Sequence, residues 1–422
     1  MPFILKISKY FTQKNKTQPI HTNSHSFFNG LLNYFLGGCI GNIINEGQIR
    51  WKPDFNDISP YKLSDIIRKF NEHLRKIPNP LAYENLTIKT EDGCNLSAVE
   101  IKNSKNLNCR ETIIIFQGRG VPFESNIDYA IKIAQSLDCN TISFNYRGVH
   151  KSTGKATKLD NLVLDGVAVV NTLLSRGIRP ENIVLYGGCM GGNISTLVAE
   201  YFHKKQKKVY VFNDRGFSSF TQSALGIVKS TQKPKGHFML SNILSVLLYP
   251  TFMFATVLSG WEKDITASFL SIPDEYKDYT VIRSSKANRE KESRLDDGFI
   301  DYDSSLHIGL KKYRKFKKES IKKELAVLEN CTTFEQRKKK ESLEDELNSF
   351  KKHKFDGIPN PEKKTFLDYL NSKNLHNLPH CLELSKIQNR FDENMTGFKY
   401  FSDFVNKSKN NGTKATYYEI GS

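Results

Sequence analysis

Between Thr112 and Phe212 the sequence repeats one pattern, a short β-branched or apolar run followed by a segment with apolar residues at helical spacing. Thr112-Ile-Ile-Ile-Phe116 reads as a strand buried on both faces. Ile127, Ala130, Ile131, Ala134 and Leu137 then fall near one helical face. The same alternation predicts strands over 141–144, 183–186 and 209–212, and helices over 162–174 and 194–202. Strand and helix alternating at this pitch require parallel strands joined by right-handed crossovers, a sheet covered by helices on both faces. Ahead of this block, alternating runs at 86–89 and 96–101 flank Asp92-Gly93, a hairpin signal. Reactive residues of such sheets sit at the carboxyl ends of strands. Chemistry is therefore expected in the loops after Phe116, Phe144, Tyr186 and Phe212.

The 422 residues are enough for a substantial core, and 38% apolar with 25% charged excludes both a disordered tail and a polytopic membrane protein. Lys and Arg outnumber Asp and Glu by 62 to 45, a net +17. That charge raises nucleic acid and anionic membranes as partners, but no aromatic-interleaved basic motif accompanies it, so nucleic acid is not the favoured partner. The seven cysteines (39, 94, 109, 139, 189, 331 and 381) are widely spaced, with no CxxC pair. They argue against a disulfide framework and a zinc site, and for a reducing, cytoplasmic-type compartment.

Two uncharged stretches bear on membranes. Residues 27–44 (FFNGLLNYFLGGCIGNII) follow a Lys-bearing start, but Asn29, Asn33 and four glycines interrupt the apolar run. A peripheral membrane contact fits them better than a signal peptide or an anchor. Residues 238–261 are long enough to span a bilayer. Pro250 breaks them, however, and the segments on either side must share one sheet, so a buried or interfacial lid is expected instead.

Residues 311–355 differ from the rest, with 15 Lys/Arg against 8 Asp/Glu, a local +7. Phe316, Ile321, Leu325 and Leu328 lie near one helical face, and Thr332-Thr-Phe-Glu335 reads as a capping box before a second helix. The expectation is an inserted helical hairpin with a wide charged face. Solvation is the default role for such a face, and contact with an acidic partner is the functional one.

The sharpest local signal is Ile183-Val-Leu-Tyr-Gly187-Gly188-Cys189-Met190-Gly191-Gly192-Asn193. It reads as a strand, a tight turn and a helix, with a thiol at the apex of a G-x-C-x-G turn. Gly187 and Gly191 are needed where strand and helix nearly touch. The apex residue takes a strained conformation that presents its side chain to solvent over a helix N-terminus, a place that favours a thiolate.

With these residues the chain resembles the α/β-hydrolase superfamily. Gln117-Gly118-Arg119-Gly120 is similar to the family's oxyanion loop after the third strand, and Asn145-Tyr146-Arg147-Gly148 with Ser152 and Gly154 resembles its YRG-x-x-x-S-x-G segment after the fourth. The lid falls after the sixth strand, where the family places its cap. The resemblance covers roughly 85–310 and 365–405. Most members carry Ser at the elbow apex, whereas dienelactone hydrolases carry Cys, as this chain does. A looser likeness is to the SidB-like hydrolases among effectors secreted by intracellular bacteria, which implies secretion into a host cell.

The resemblance implies a triad in the order nucleophile, acid, histidine. Cys189 is the nucleophile. His376 and His380 precede an amphipathic terminal helix (Phe398, Tyr400, Phe401, Phe404, Val405), where the family sets its base; His376-Asn is the closer match, and both stay open. Asp296 and Asp297 are the candidate acids, with Asp214 the alternative position after the sixth strand. The oxyanion hole would be the amide of Met190 and that of Arg119 or Gly120.

The expected architecture is thus an α/β-hydrolase, a mostly parallel sheet with helices on both faces. Residues 1–84 form an N-terminal extension with a candidate membrane contact. Residues 85–422 form the hydrolase domain, with insertions at about 221–265 (lid) and 308–360 (charged helices). The expected activity is hydrolysis or acyl transfer on an ester or thioester, with a small-molecule or lipid ester as substrate and no cofactor or metal. The alternative is an inactive interaction protein on the same fold. Substrate and oligomeric state stay open.

Overall fold

The computed structural model describes residues 63–103, 111–119, 121–223, 253–254, 256–282, 302–329, 333–349, 357–359, 384–389 and 392–419. In chain order the elements are α1 (Leu63–Arg75), β1 (Leu81–Lys89), β2 (Asn95–Asn103), β3 (Thr112–Phe116), α2 (Ile127–Ser136), β4 (Asn140–Phe144), α3 (Leu159–Ser175), β5 (Ile183–Gly188), α4 (Met190–Lys204) and β6 (Tyr210–Asp214). They continue with α5 (Ile265–Ser271), β7 (Lys277–Thr280), α6 (Leu306–Val327), α7 (Phe334–Ser349), β8 (Gly357–Pro359), β9 (Ile387–Asn389), β10 (Asp392–Thr396) and α8 (Gly397–Glu419).

Strands β1 to β7 form one sheet in the order β1-β2-β4-β3-β5-β6-β7. β1 pairs antiparallel with β2 and β2 antiparallel with β4, while β4, β3, β5, β6 and β7 run parallel. Each run read as a strand within 112–212 lies in this sheet and each run read as a helix is a crossover, with ends moved by a few residues. The hairpin signal at Asp92-Gly93 joins β1 to β2, and Gly93 takes a φ of 88° that its missing side chain permits.

The sheet is apolar on both sides because β3 feeds both: Ile114 packs with Leu162, Val169, Ile194, Val198 and Phe202 of α3 and α4, whereas Ile113 and Ile115 pack with Ile127, Ala130 and Ala134 of α2. The amphipathic terminal helix expected from Phe401, Phe404 and Val405 is α8, and it closes the second face against β6. The Phe401 ring lies tilted 4.9 Å from Phe212 and 4.8 Å from Tyr186, and Phe404 lies 5.5 Å from Phe212. Each such side chain taken out of water stabilises the fold by about 1.5–3 kcal/mol before entropy is counted.

The domain boundary expected at residue 85 falls inside β1, which starts at Leu81. Helix α1, within the stretch read as an extension, packs Phe70 and Leu74 into the same core, with Phe70 edge-on to Phe123 at 5.7 Å. The charged insertion is a helical hairpin of α6 and α7. Its capping box sits one residue later than the sequence indicated: Thr333 N donates to Gln336 Oε1 at 3.2 Å and Gln336 N donates to Thr333 Oγ1 at 3.2 Å. Gln serves as well as Glu in this motif, so a run containing both offers two registers. Ile321 is buried as expected, but Phe316 is 72% exposed and does not join it.

Among the described residues no helix is long and apolar enough to cross a membrane. Residues 27–44 and 238–252 lie outside the described residues. Trp261, at the end of the second apolar stretch, is fully buried against Phe220 at 6.1 Å, and its indole N–H donates to Thr157 O at 3.2 Å. The foot of the expected lid is therefore part of the core.

Candidate active site

β5 ends at Gly188 and α4 begins at Met190, which leaves Cys189 as the single residue of the turn. Its φ of 54° and ψ of −121° lie where side chains rarely go, a strain of about 1–3 kcal/mol. Two hydrogen bonds hold it there. Cys189 N donates to Asp214 O at 2.9 Å across the sheet edge, and Cys189 O accepts from Asn193 N at 3.3 Å, the first bond of α4.

Glycines make the turn possible by removing atoms that would collide with backbone. A Cβ on Gly187 would sit 2.3 Å from the Gly191 carbonyl carbon, and one on Gly191 would sit 2.2 Å from Phe116 O. Gly192 is equally restricted, 2.7 Å from both Gly187 O and Asn213 Oδ1. The loop after β3 lies against the elbow: a Cβ on Gly118 would be 3.5 Å from Gly188 O and 3.9 Å from Cys189 Cβ. The Met190 amide, in the first turn of α4, has no acceptor within its own helix. The elbow and the loop after β3 therefore lie against one another. Arg119 is an exposed residue of that loop, and Gly120 lies outside the described residues.

One expectation about the apex needs correcting. Cys189 retains only 9% of its exposure and packs among Met190, Ile194 and Phe217 at the margin of the core. Neighbouring apolar residues limit the contact of the thiol with water.

Of the remaining triad candidates, Asp296, Asp297, His376 and His380 lie outside the described residues. Asp214 is described, and its carboxylate is already full. Oδ1 accepts from Arg215 Nε at 2.8 Å and from Thr280 Oγ1; Oδ2 accepts from Arg215 Nη2 at 2.5 Å and from Tyr186 O–H at 3.1 Å. A carboxylate offers about four acceptor positions, so none is left for a histidine N–H. Tyr186 in turn accepts from Tyr129 O–H at 3.1 Å, and burial pushes the Tyr186 phenol well above its usual range.

His203 is excluded by its place at the far end of α4. Its Nε2–H donates to Val209 O at 2.8 Å, and burial holds the ring below the usual histidine range. His307, near the start of α6, faces Tyr279, with Nδ1 3.0 Å from the hydroxyl.

A histidine that precedes Cys189 in the chain also lies at this end of the sheet. In the loops after β3 and β4, His150 Nδ1 lies 2.7 Å from Glu124 Oε1. Asn145 Nδ2 donates to both oxygens of that buried carboxylate, at 3.1 and 2.9 Å, while Asn145 Oδ1 accepts from Phe123 N at 3.0 Å. A neutral ring that donates Nδ1–H to Glu124 has its lone pair on Nε2. The family's triad order sets the base after the nucleophile, so the position of His150 in the sequence carries no catalytic signal. Its φ of 49°, within Asn145-Tyr-Arg-Gly-Val-His, had no signature in the sequence.

The YRG-x-x-x-S-x-G segment proves architectural. Arg147 is buried and binds Asp165 of α3 through Nε at 2.8 Å and Asp92 of the β1–β2 turn through Nη1 at 2.6 Å. Ser152 Oγ donates to Asn145 O at 2.9 Å and accepts from Ser97 N at 2.9 Å, which ties the loop to β2. Gly154 has a φ of 83°, and a Cβ there would strike Cys94 Sγ at 2.4 Å. A second polar clamp had no sequence signal. Asn213 Nδ2 donates to Gly192 O at 2.9 Å, and Asn193 Nδ2 donates to Phe217 O at 3.0 Å, which fixes the chain leaving β6 onto the first turn of α4. Among the described residues no group of His, Cys, Asp and Glu could hold a metal ion.

A mostly parallel sheet with a sharp, glycine-flanked strand-to-helix turn at the end of a central strand is the α/β-hydrolase fold, and this chain is an α/β-hydrolase-fold protein. A family model described as Chlamydia CHLPS protein (DUF818) matches residues 82–235. The chain is similar to human alpha/beta hydrolase domain-containing protein 17B, 31% identical over 111 residues that cover 26% of this chain and 38% of that protein. Alpha/beta hydrolase domain-containing protein 17C of Xenopus tropicalis is 32% identical over 111 residues, 26% of this chain and 35% of its own. The chain thus spans little more than a third of the curated relatives it matches. Among solved structures, an esterase from Pyrococcus furiosus aligns with a TM-score of 0.39 at 18% identity, covering 61% of this chain and 81% of that one. An alpha-beta hydrolase from Vibrio vulnificus aligns with a TM-score of 0.39 at 18% identity, covering 64% and 80%.

Proposed function

We propose that the chain is a hydrolase or acyltransferase that cleaves an ester or thioester through an acyl-cysteine intermediate. The observation that carries this reading is the strained Cys189 at the start of α4, beside the loop after β3. A buried cysteine serving only as packing would not need a φ of 54° or three glycines to hold it.

In this reading the sulfur attacks the substrate carbonyl carbon, and the oxygen that gains the electron pair faces the Met190 amide and an amide of the Gly118–Gly120 loop. A histidine takes the thiol proton and passes it to the departing alcohol or thiol as the C–O or C–S bond breaks. Water, or an acceptor hydroxyl or amine, then attacks the acyl-cysteine and releases Cys189. The resemblance assigns the base to His376 or His380, oriented by Asp296 or Asp297.

A second reading of the base is favoured by one observation, the His150 to Glu124 contact of 2.7 Å on the same edge of the sheet. Steady-state turnover of short-chain thioesters and esters by Cys189→Ala, His376→Ala, His380→Ala and His150→Gln separates these readings. The expected result is loss on the order of 10³-fold or more in Cys189→Ala and in one of the two C-terminal variants. A comparable loss in His150→Gln with neither C-terminal variant affected would move the base to His150. Turnover by the parent chain and by Cys189→Ala alike no faster than the uncatalysed background, with a thiol-reactive acyl probe labelling all cysteines alike, would leave an inactive interaction protein.

A further inference from the structure

Exposed apolar side chains are concentrated on the two insertions. Of the eight large apolar residues exposed among the described residues, Met253, Phe254 and Val257 lie at the lid, and Tyr313, Phe316, Val327 and Phe334 lie on the α6–α7 hairpin; the eighth is Tyr83. Scattered exposure is ordinary, but clustered exposure marks a surface that meets something.

The hairpin residues are ordered. Phe316 follows Tyr313 by about one helical turn, and Val327 follows Phe316 by about three, so the three lie along one stripe of α6. Val327 ends α6 and Phe334 starts α7, at 84% and 80% exposure, so the stripe runs out to the tip of the hairpin. Cations flank it: α6 carries eight Lys/Arg against two Glu, and Lys322, Lys323, Arg337 and Lys338 are exposed near the tip. Apolar side chains bordered by lysines along a helix suit the boundary between headgroups and acyl chains of an anionic bilayer. Nucleic acid fits less well, because a phosphate-tracking surface has no use for Val327 and Phe334 at its outermost point.

The hairpin is also rooted beside the candidate site. Leu306 N donates to Gly216 O at 3.0 Å and Ser218 N to Ser304 O at 2.8 Å, immediately after the carboxyl end of β6. The lid foot is anchored on the same segment, where Thr221 N and Oγ1 donate to Glu262 Oε2 at 2.9 and 2.8 Å. We propose that the tip and stripe of the α6–α7 hairpin form a docking surface for a membrane rich in anionic lipid, which sets the carboxyl edge of the sheet close to substrates carried in that membrane. The docking itself does not depend on the identity of the nucleophile.

The test uses the full chain and vesicles of phosphatidylcholine with or without 30% phosphatidylserine. Sedimentation should show binding at least tenfold tighter to the anionic vesicles. The exposed triple change Phe316→Ser, Val327→Ser and Phe334→Ser should weaken it at least tenfold, as should Lys322→Glu with Lys323→Glu. Turnover of a soluble short-chain thioester without vesicles should stay unchanged in both, which keeps this outcome separate from the Cys189 chemistry. In a Phe334→Trp variant, the difference in emission from the parent chain, which carries the same two native tryptophans, reports the new indole, and it should shift to the blue on adding anionic vesicles only. Equal binding to neutral vesicles, binding untouched by both sets of changes, no blue shift, or tighter salt-sensitive binding of RNA through the same lysines would each overturn the proposal.

Discussion

Cys189 N donates to the carbonyl of Asp214 at 2.9 Å, which ties the apex of the elbow to the end of the neighbouring strand by backbone alone. The Asp214 side chain is engaged elsewhere, with Arg215, Tyr186 and Thr280 filling its oxygens. Strand pairing thus holds the elbow in register. The amide of Cys189 is consumed, and that of Met190 is the next in the chain, at the start of α4, with no acceptor within its own helix.

Asp214→Asn should consequently act on stability rather than on the chemical step. Arg215 would lose its buried partner, at a cost of about 3–5 kcal/mol, while the backbone bond to Cys189 persists. Urea unfolding and kcat measured on the same preparation are the check. A fall in kcat on the order of 10⁴-fold with stability unchanged would identify Asp214 as the orienting acid after all.

The elbow glycines should be intolerant of a single methyl group. Gly187→Ala and Gly191→Ala place a Cβ 2.2–2.3 Å from backbone atoms, which cannot swing aside as a side chain would. Each is expected to cost more than about 3 kcal/mol, at or beyond the upper end of ordinary overpacking. Gly93→Ala meets nothing within 4 Å and bears only its unfavourable φ of 88°, so about 1–2 kcal/mol is expected. Denaturant midpoints of the three variants should fall in that order, and equal losses would contradict it.

Arg147 and Asp165 should be coupled. Arg147→Met leaves Asp165 fully buried without its cation, a loss of about 3–5 kcal/mol. Burial pushes the Asp165 carboxyl up to about 6 even with Arg147 beside it, so it cannot stay ionised cheaply alone. Asp165→Asn added to Arg147→Met should recover part of the loss, and a double-mutant cycle measures how much. Additive losses would mean the two residues act separately.

Acid should weaken the fold in part through His203. Its ring stays neutral when folded to a lower pH than when unfolded, because burial disfavours the cation. The contribution is complete above the unfolded value of about 6.5 and is lost as pH falls from there through the folded pKa. Urea midpoints at pH 7.5 and 5.5 should drop less in His203→Gln than in the parent chain. An identical drop in both would remove His203 from the account.

The alternation of strands and crossovers, the elbow and its glycines, the terminal amphipathic helix and the helical character of the charged insertion are all legible in the order of residues along the chain. These are short-range patterns: a period of two or of 3.6, or a glycine one residue from a turn, is set by neighbours in the chain. Which polar groups meet depends instead on how distant segments pack. Sheet order brings Glu124 to His150 across 26 residues and Asp92 to Arg147 across 55. It also fills the Asp214 carboxylate with donors from β5 and β7, and leaves Phe316 outside the core that its spacing pointed toward. Periodicity fixes the face of an element on which a residue sits, but the neighbour of that face depends on which strands pair and how the crossovers pack. The reading of Cys189 as an apex residue therefore came from the chain, while its burial and the capture of its amide by Asp214 came from the fold.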